Sequence, residues 1–268
     1  MKTRRLLTAM LSAAALCAVA VTAMAEDTPE GYVTFYADKT VLGQGLVVEP
    51  VSVPYYEGDN GFDVVQRAAD ALVADGDWGS YIEGFADADT GAEIPAEIAA
   101  VCPEMWGRNT EGYLCAYDYT AESGWSWFLN DEYASVGIGD YVPADGDVIQ
   151  FRFTVYGYGC DLGVDNTSWG GNPALVEAVQ TAELAELAAA ADTASDEYVA
   201  AIKTLGTFGV SQAEIDAACE AFAAEPAPDA DAADDAVSTS PDTGAEGVAA
   251  LIGVTALAGM ALYVSKKR

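Results

Sequence analysis

Residues 124–141, GWSWFLNDEYASVGIGDY, set two tryptophans, a phenylalanine and two tyrosines among three glycines. The chemistry such a stretch offers is recognition rather than bond-making. Aromatic rings with a polar tip suit flat ring edges, sugar faces or protein hot spots alike. Two readings stand. Trp125, Trp127 and Leu129 can alternate inward as the core of a β run. Alternatively, Phe128, Tyr133, Val136 and Tyr141, with Trp127, Gly137 and Ile138 beside them, make a partly exposed ligand platform. Catalytic chemistry is poorly served. The chain contains no histidine, which removes Ser-His-Asp and Cys-His nucleophilic sites and histidine-ligated zinc. Acidic residues are so numerous that no pair stands out as an acid–base couple. Asp87, Asp89 and Gly91 begin like an EF-hand loop, but the glycine comes one position early and no ligand ladder follows. No catalytic residue, metal site or certain cofactor is assigned, and the chain is expected not to be an enzyme.

The two ends place this material outside the cytoplasm. Lys2, Arg4 and Arg5 precede the apolar run Leu6 to Val21 and an A-x-A site at Ala23 to Ala25, the pattern of a signal peptide over residues 1–25. Near the C-terminus, Gly247 to Val264 is apolar and approaches the roughly 20 residues that a bilayer requires. Lys266, Lys267 and Arg268 follow, and such charges stay on the cytoplasmic side. Ser240, Pro241, Asp242, Thr243 and Gly244, just before the span, resemble the L-P-x-T-G sorting signal of Gram-positive surface proteins, with serine in the leucine position. That resemblance implies a sortase that cuts after Thr243 and joins it to peptidoglycan. A plain single-pass membrane anchor is the alternative, and either way the bulk of the chain is outside.

Charge and cysteines agree with export. The 268 residues carry 11 Lys and Arg against 43 Asp and Glu, a net charge of −32, and six of the basic residues belong to the two terminal segments. So acidic a surface repels phosphate backbones, and nucleic acid is excluded as a partner. Cys102, Cys115, Cys160 and Cys219 remain after signal removal, and an even count in an exported chain reads as two disulfides with three connectivities open. Cys102–Cys115 as a local staple, worth about 3 kcal/mol in the chain-entropy account, and Cys160–Cys219 as a long-range tie are the expected pairing.

The elements that must hold the aromatic stretch follow from periodicity. Tyr32 to Ala37 alternates as a strand, Leu46 to Val53 is a second strand made edge-like by Pro50, and Val148 to Tyr156 is the clearest strand of all. Asn60 caps a helix whose Phe62, Val65, Ala69 and Leu72 recur at helical spacing, ending near Gly76. Residues 77–112 are expected as a long insertion outside the core. Tyr113 to Tyr119 and Trp125 to Leu129 are expected as short strands. The order gives an α+β fold, a β-grasp-like sheet with one packed helix over residues 31–163. A small helical module over 172–222 follows, begun by Asn172 and Pro173 and containing a capping box at Ser211 and Glu214. It buries too little alone and should dock on the sheet. Residues 223–239 read as a disordered acidic Pro/Ala spacer, and 240–268 as sorting signal with a transmembrane helix.

Gly124, Trp125, Asn130, Gly137, Ile138, Asp140, Tyr141, the Asp145–Gly146–Asp147 turn and Tyr156–Gly157–Tyr158–Gly159, with LGQGLVVEPVSVPYYEGDNGFDVVQRA upstream, resemble the transcobalamin C-terminal-like domain family of bacterial surface proteins. The resemblance covers about residues 31–163. In animal cobalamin carriers the related domain covers one face of the corrinoid while an α-helical barrel holds the other; no part of this sequence corresponds to that barrel. The resemblance thus implies an extracellular, envelope-held binding protein with a corrinoid (cobalamin-like) ligand. A surface interaction or adhesion module for a host protein or glycan is the alternative.

Overall fold

The computed structural model describes residues 28–223, apart from 77, 78, 89 and 103. The expected signal peptide, the spacer beyond Ala223, the sorting motif Ser240 to Gly244 and the apolar span 247–264 lie outside the described residues. Among those described, no helix is long and apolar enough to cross a membrane.

The strands are β1 Gly31–Asp38, β2 Leu46–Tyr55, β3 Ala71–Gly76, β4 Gly79–Ala86, β5 Tyr113–Cys115, β6 Gly124–Leu129, β7 Glu132–Tyr133 and β8 Val148–Thr154. The helices are α1 Gly61–Ala68, α2 Ala96–Ala99, α3 Ala182–Ala190, α4 Asp196–Leu205 and α5 Gln212–Ala223. Five strands form one sheet in the order β2-β1-β8-β6-β7, and β3-β4-β5 form a second. Among the described residues only the β1–β8 pair is parallel. Pro50 sits in β2, whose outer side is a sheet edge, as its missing N–H requires.

Alternation along β1, β6 and β8 sends two sets of side chains to opposite faces. On one face, Phe35, Ile149, Phe151, Trp125, Trp127 and Leu129 pack against Val64 and Val65 of α1 and Ile82 and Phe85 of β4. Phe85 lies edge-on to Trp125 at 4.8 Å between centroids and to Phe151 at 5.4 Å. On the other face, Tyr36 and Val148 meet Leu184, Ala185, Ala188, Tyr198 and Ile215 of α3, α4 and α5. The expected docking of the helical module therefore occurs, and it is polar as well as apolar. Asp131, in the β6–β7 turn, accepts from the backbone N–H of Thr181 at 2.8 Å and of Ala182 at 3.1 Å and from Gln150 Nε2 at 2.7 Å. Thr181 itself provides no side-chain cap for α3, so a carboxylate on the sheet caps the first helix of the module from outside it.

The fold is mixed α/β with two sheets and five helices, richer than one sheet with one packed helix. Helix α1 starts at the expected Asn60, whose side chain accepts from Phe62 and Asp63 N–H while Asp63 returns a bond to Asn60 N–H. It ends at Ala68, not near Gly76: Ala69 is extended, and Leu72 lies in β3 opposite Gly84. The segment expected as an insertion supplies core instead. Phe85 and Ile98 are buried there, and Gly84 lets β5 approach, because a Cβ would lie 2.5 Å from Cys115 Sγ and 2.6 Å from Leu114 O. Strand pairing, not local pattern, made this segment ordered; its glycines and aspartates mask the alternation. Asn172 and Pro173 start no helix; the first helix of the module begins at Ala182. The capping box at Ser211 forms, with Ser211 N–H donating to Glu214 Oε2 at 2.9 Å and Glu214 N–H to Ser211 Oγ at 3.3 Å.

The disulfides do not form: Cys102, Cys115, Cys160 and Cys219 are all free. Each thiol has its own surroundings instead. Cys102 faces the Val155 carbonyl at 3.8 Å, Cys115 packs on Gly84, Cys160 approaches the carbonyls of Gly157 and Asn172, and Cys219 lines the helical cluster. Burial raises the thiol pKa at all four, so they are poor thiolates as well as unpaired ones.

Candidate functional site

The aromatic stretch is divided by the sheet. Trp127 is half-buried, stacks on Phe151 at 6.5 Å and 19°, and donates Nε1–H to the Val136 carbonyl at 3.0 Å. Ile138 and Tyr141 are buried on that same side against Gly61, where a Cβ would come within 2.7 Å of either side chain. The Tyr141 hydroxyl is held by Asp147; burial and then that carboxylate raise its pKa. Gly137 has φ of −65°, so no left-handed turn required it. Trp127, Ile138 and Tyr141 belong to the core, while Gly137 is exposed. Phe128 is buried on the opposite face, with the Arg152 guanidinium 5.6 Å from its ring centre. Val136 is exposed, yet its carbonyl serves the core tryptophan. Of the seven residues expected as a platform, Tyr133 alone presents an exposed ring; it meets Phe128 edge-on at 5.3 Å.

Tyr133 nonetheless belongs to a second aromatic constellation. Strand β7 pairs only with Phe128 and Leu129 of β6, which leaves the first half of β6 as the floor of a groove of about 180 Å³. Trp125 lies in that floor, fixed by its Nε1–H bond to the Leu114 carbonyl at 2.8 Å. Around it stand Tyr81 from β4, Tyr117 after β5, Tyr133 from β7 and Tyr158 after β8. These rings are 46%, 58%, 44% and 59% exposed, so none is consumed by the core. Ser126 and Thr154 complete the floor and Glu122 the rim.

Two of the four tyrosines are held on unfavourable backbone. Tyr117 has φ of 65° and Tyr158 φ of 55°, a region bulky side chains avoid at a cost of order 1–3 kcal/mol. The surroundings enforce both. Tyr117 N–H donates to the Ser123 carbonyl at 2.8 Å, its own carbonyl accepts from Trp106 Nε1 at 2.8 Å, and Asp118 closes the turn on Cys115 N–H at 2.7 Å. Tyr158 stands between Gly157 and Gly159, also left-handed, whose N–H groups are tied to Glu122 at 2.8 Å and to Thr154 Oγ1 at 3.0 Å. Tyr81 has a raised pKa, from burial first and then from Glu83 and Tyr117, which keeps its hydroxyl protonated. Beside the tyrosines the groove presents the side chains of Ser123, Ser126 and Thr154 and one carboxylate, Glu122.

Tyr117 and Tyr158 were absent from the sequence-based platform. Tyr158 belongs to the Tyr156–Gly159 motif, whose glycines are its signal in the sequence, and Tyr117 falls inside the 113–119 run, where a strand pattern hides the turn. Asp87, the first residue of the EF-hand-like run, is occupied by cations: Lys39 Nζ at 2.6 Å and Arg108 at 2.9 Å, all nearly buried. Among the described residues no cluster of acidic or cysteine side chains fits a metal ion.

Residues 111–155 match a family described as a domain of unknown function, DUF4430. Those residues carry Tyr117, Glu122, Trp125 and Tyr133 of the groove. No curated protein matches the chain. Among solved structures it is similar to haptocorrin in complex with Cbi, at 18% identity and a TM-score of 0.31, over 47% of this chain. The likeness spans 25% of the haptocorrin chain.

Proposed function

We propose that this chain is an extracellular, envelope-held binding protein without catalytic activity, whose β-grasp head captures its ligand over the tyrosine groove. One observation carries the reading: Tyr117 and Tyr158, both on strained left-handed backbone, present exposed rings to the same groove. Strain of this kind persists where the surroundings over-determine it, and it concentrates at binding sites. The signal-peptide pattern, the sorting-signal resemblance and the acidic composition support the placement outside the cell, with sortase and peptidoglycan or the cell membrane as the anchoring partners. The resemblance of residues 31–163 to transcobalamin C-terminal-like domains supports a corrinoid as the first ligand to test. The groove accepts only part of so large a molecule, since whole drug-sized ligands fill about 300–1,000 Å³.

The test is a titration of the purified protein with cobalamin and with cobinamide while tryptophan emission is followed. Saturable quenching that weakens in Tyr117→Gly and Tyr158→Gly supports capture at the groove. Binding that survives both changes refutes the groove as the site. A second reading, a protein- or glycan-binding surface module, is favoured by the exposed Trp169 and Val142, at 88% and 75%. Retained binding to a glycan or protein array with no corrinoid quenching would select it. The mass of the form recovered from the cell envelope tests the two termini.

A further inference from the structure

The groove has a charge character that the aromatic count alone does not reveal. Its lining contains one ionisable carboxylate, Glu122, and no basic residue. Glu83, next but one to Tyr81 on β4, adds negative potential on the same side, since it acts on the Tyr81 hydroxyl. The basic residues among those described are Lys39, Arg67, Arg108, Arg152 and Lys203. Four of them are bound to carboxylates: Lys39 and Arg108 to Asp87, Arg67 to Asp59, and Arg152 to Asp38. Lys203 lies on α4, in the helical layer. Arg152, cross-strand partner of Ser126 in the groove floor, is nearly buried and pinned by Asp38 at 2.9 Å. Nothing positive therefore answers the groove from within the described chain.

Aromatic faces carry negative potential, and several rings around one point attract a cation that needs few hydrogen bonds. Here four tyrosines and a carboxylate line one groove of about 180 Å³, while the Trp125 ring in its floor is packed edge-on against Phe85 and Phe153. A metal ion would demand several carboxylate oxygens, and the lining holds one carboxylate, Glu122, which already accepts from Gly157 N–H at 2.8 Å. A methylated ammonium group has no N–H to satisfy, is weakly hydrated, and gains from every ring face. We propose that the tyrosine groove binds the methylated ammonium group of a small organic cation, with Tyr81, Tyr117, Tyr133 and Tyr158 as its walls and Glu122 as the counter-charge. The proposal rests on the groove being the binding face and names the chemistry of the group that enters it.

The test compares choline with its neutral isostere 3,3-dimethyl-1-butanol on the full exported protein, at constant ionic strength, by the shift of tryptophan indole NMR signals. Choline should saturate, and the isostere should bind at least about five-fold more weakly, because only the charge differs. Tyr117→Gly and Tyr158→Gly should each weaken choline binding by about three-fold or more while leaving the fold intact, since glycine suits both backbone positions. Glu122→Gln should do the same and make the remaining binding less salt-dependent. Equal affinity for the isostere would overturn the cation proposal, as would choline binding unaffected by the tyrosine changes. If choline fails to saturate while corrinoid quenching is present and lost in the tyrosine variants, the cation proposal falls and the groove stands. If neither probe binds, both fall.

Discussion

Asp161 is fully buried in the turn after β8, where its carboxylate holds the Thr154 hydroxyl and accepts from Val155 N–H at 2.8 Å. Burial raises its pKa from 3.8 to about 6, against the opposing pull of those hydrogen bonds. The sign of the linkage follows. The native state keeps a proton that the unfolded chain releases between pH 3.8 and 6, so this group's stabilisation is complete below 3.8 and is lost as pH rises through 6. Its full size is about 3 kcal/mol, of which about 2 kcal/mol has returned by pH 4.5. Replacement by asparagine keeps the geometry: the amide oxygen accepts from Val155, the amide nitrogen donates to Thr154 Oγ1, and that hydroxyl turns to the Tyr156 carbonyl, already 3.2 Å away. Denaturant unfolding of the wild type and of Asp161→Asn at pH 7.5 and 4.5 isolates the effect, because the large net negative charge acts on both proteins alike. The wild type should gain about 2 kcal/mol on the variant over that interval, and the variant should equal or exceed it at pH 7.5. Stability differences that do not change with pH would refute the reasoning.

Asp131→Gly removes the external cap of α3 but suits the φ of 68° at that position; it should lower stability by about 2 kcal/mol and raise amide exchange in α3 before the sheet. Asp87→Asn leaves Lys39 and Arg108 buried with no full counter-charge, and should cost at least about 3 kcal/mol in chemical denaturation, far more than the exposed Asp59 and Arg67 pair. Gly84→Ala should lower stability by about 1–3 kcal/mol. Adding Cys115→Ala to it should rescue only part of that loss in a thermal melt, because the Leu114 carbonyl is backbone and cannot withdraw.

Much of the sheet was legible because its strands announce themselves one by one. Phe35 and Ala37 alternate with Thr34 and Tyr36; Ile149, Phe151 and Phe153 alternate with Gln150 and Arg152; and these faces are what the helices and the second sheet cover. The caps were legible too, since Asn60 with Asp63 and Ser211 with Glu214 act within four residues of chain. What failed to show was order imposed from a distance. Strands β3 and β4 hold together through pairing in which Gly84 must be small for Cys115, a constraint that no window of local sequence contains. Ala182 begins a helix because Asp131, far from it in the sequence, supplies its cap, while Asn172, the better local signal, has its carbonyl engaged by Asn166 N–H and the Cys160 thiol of the preceding loop.

The site divides along the same line. A run of alternating aromatics in a strand is forced to serve both faces of the sheet, so the conspicuous cluster at 124–141 could not be one platform. Trp127 and Tyr141 turn inward and Phe128 turns to the other side. The exposed rings instead come from four separate stretches, Tyr81 within β4, Tyr133 in β7, and Tyr117 and Tyr158 in left-handed turns after β5 and β8, and all four line one groove. Such convergence leaves no periodicity, and its trace in the sequence is a tyrosine beside turn-forming aspartate or glycine. The strain at those two positions is therefore the informative quantity. A tyrosine on relaxed backbone can be exposed by accident; two on disfavoured backbone, lining one groove, are exposed at a cost that the fold must continuously oppose, and the groove is the feature common to both.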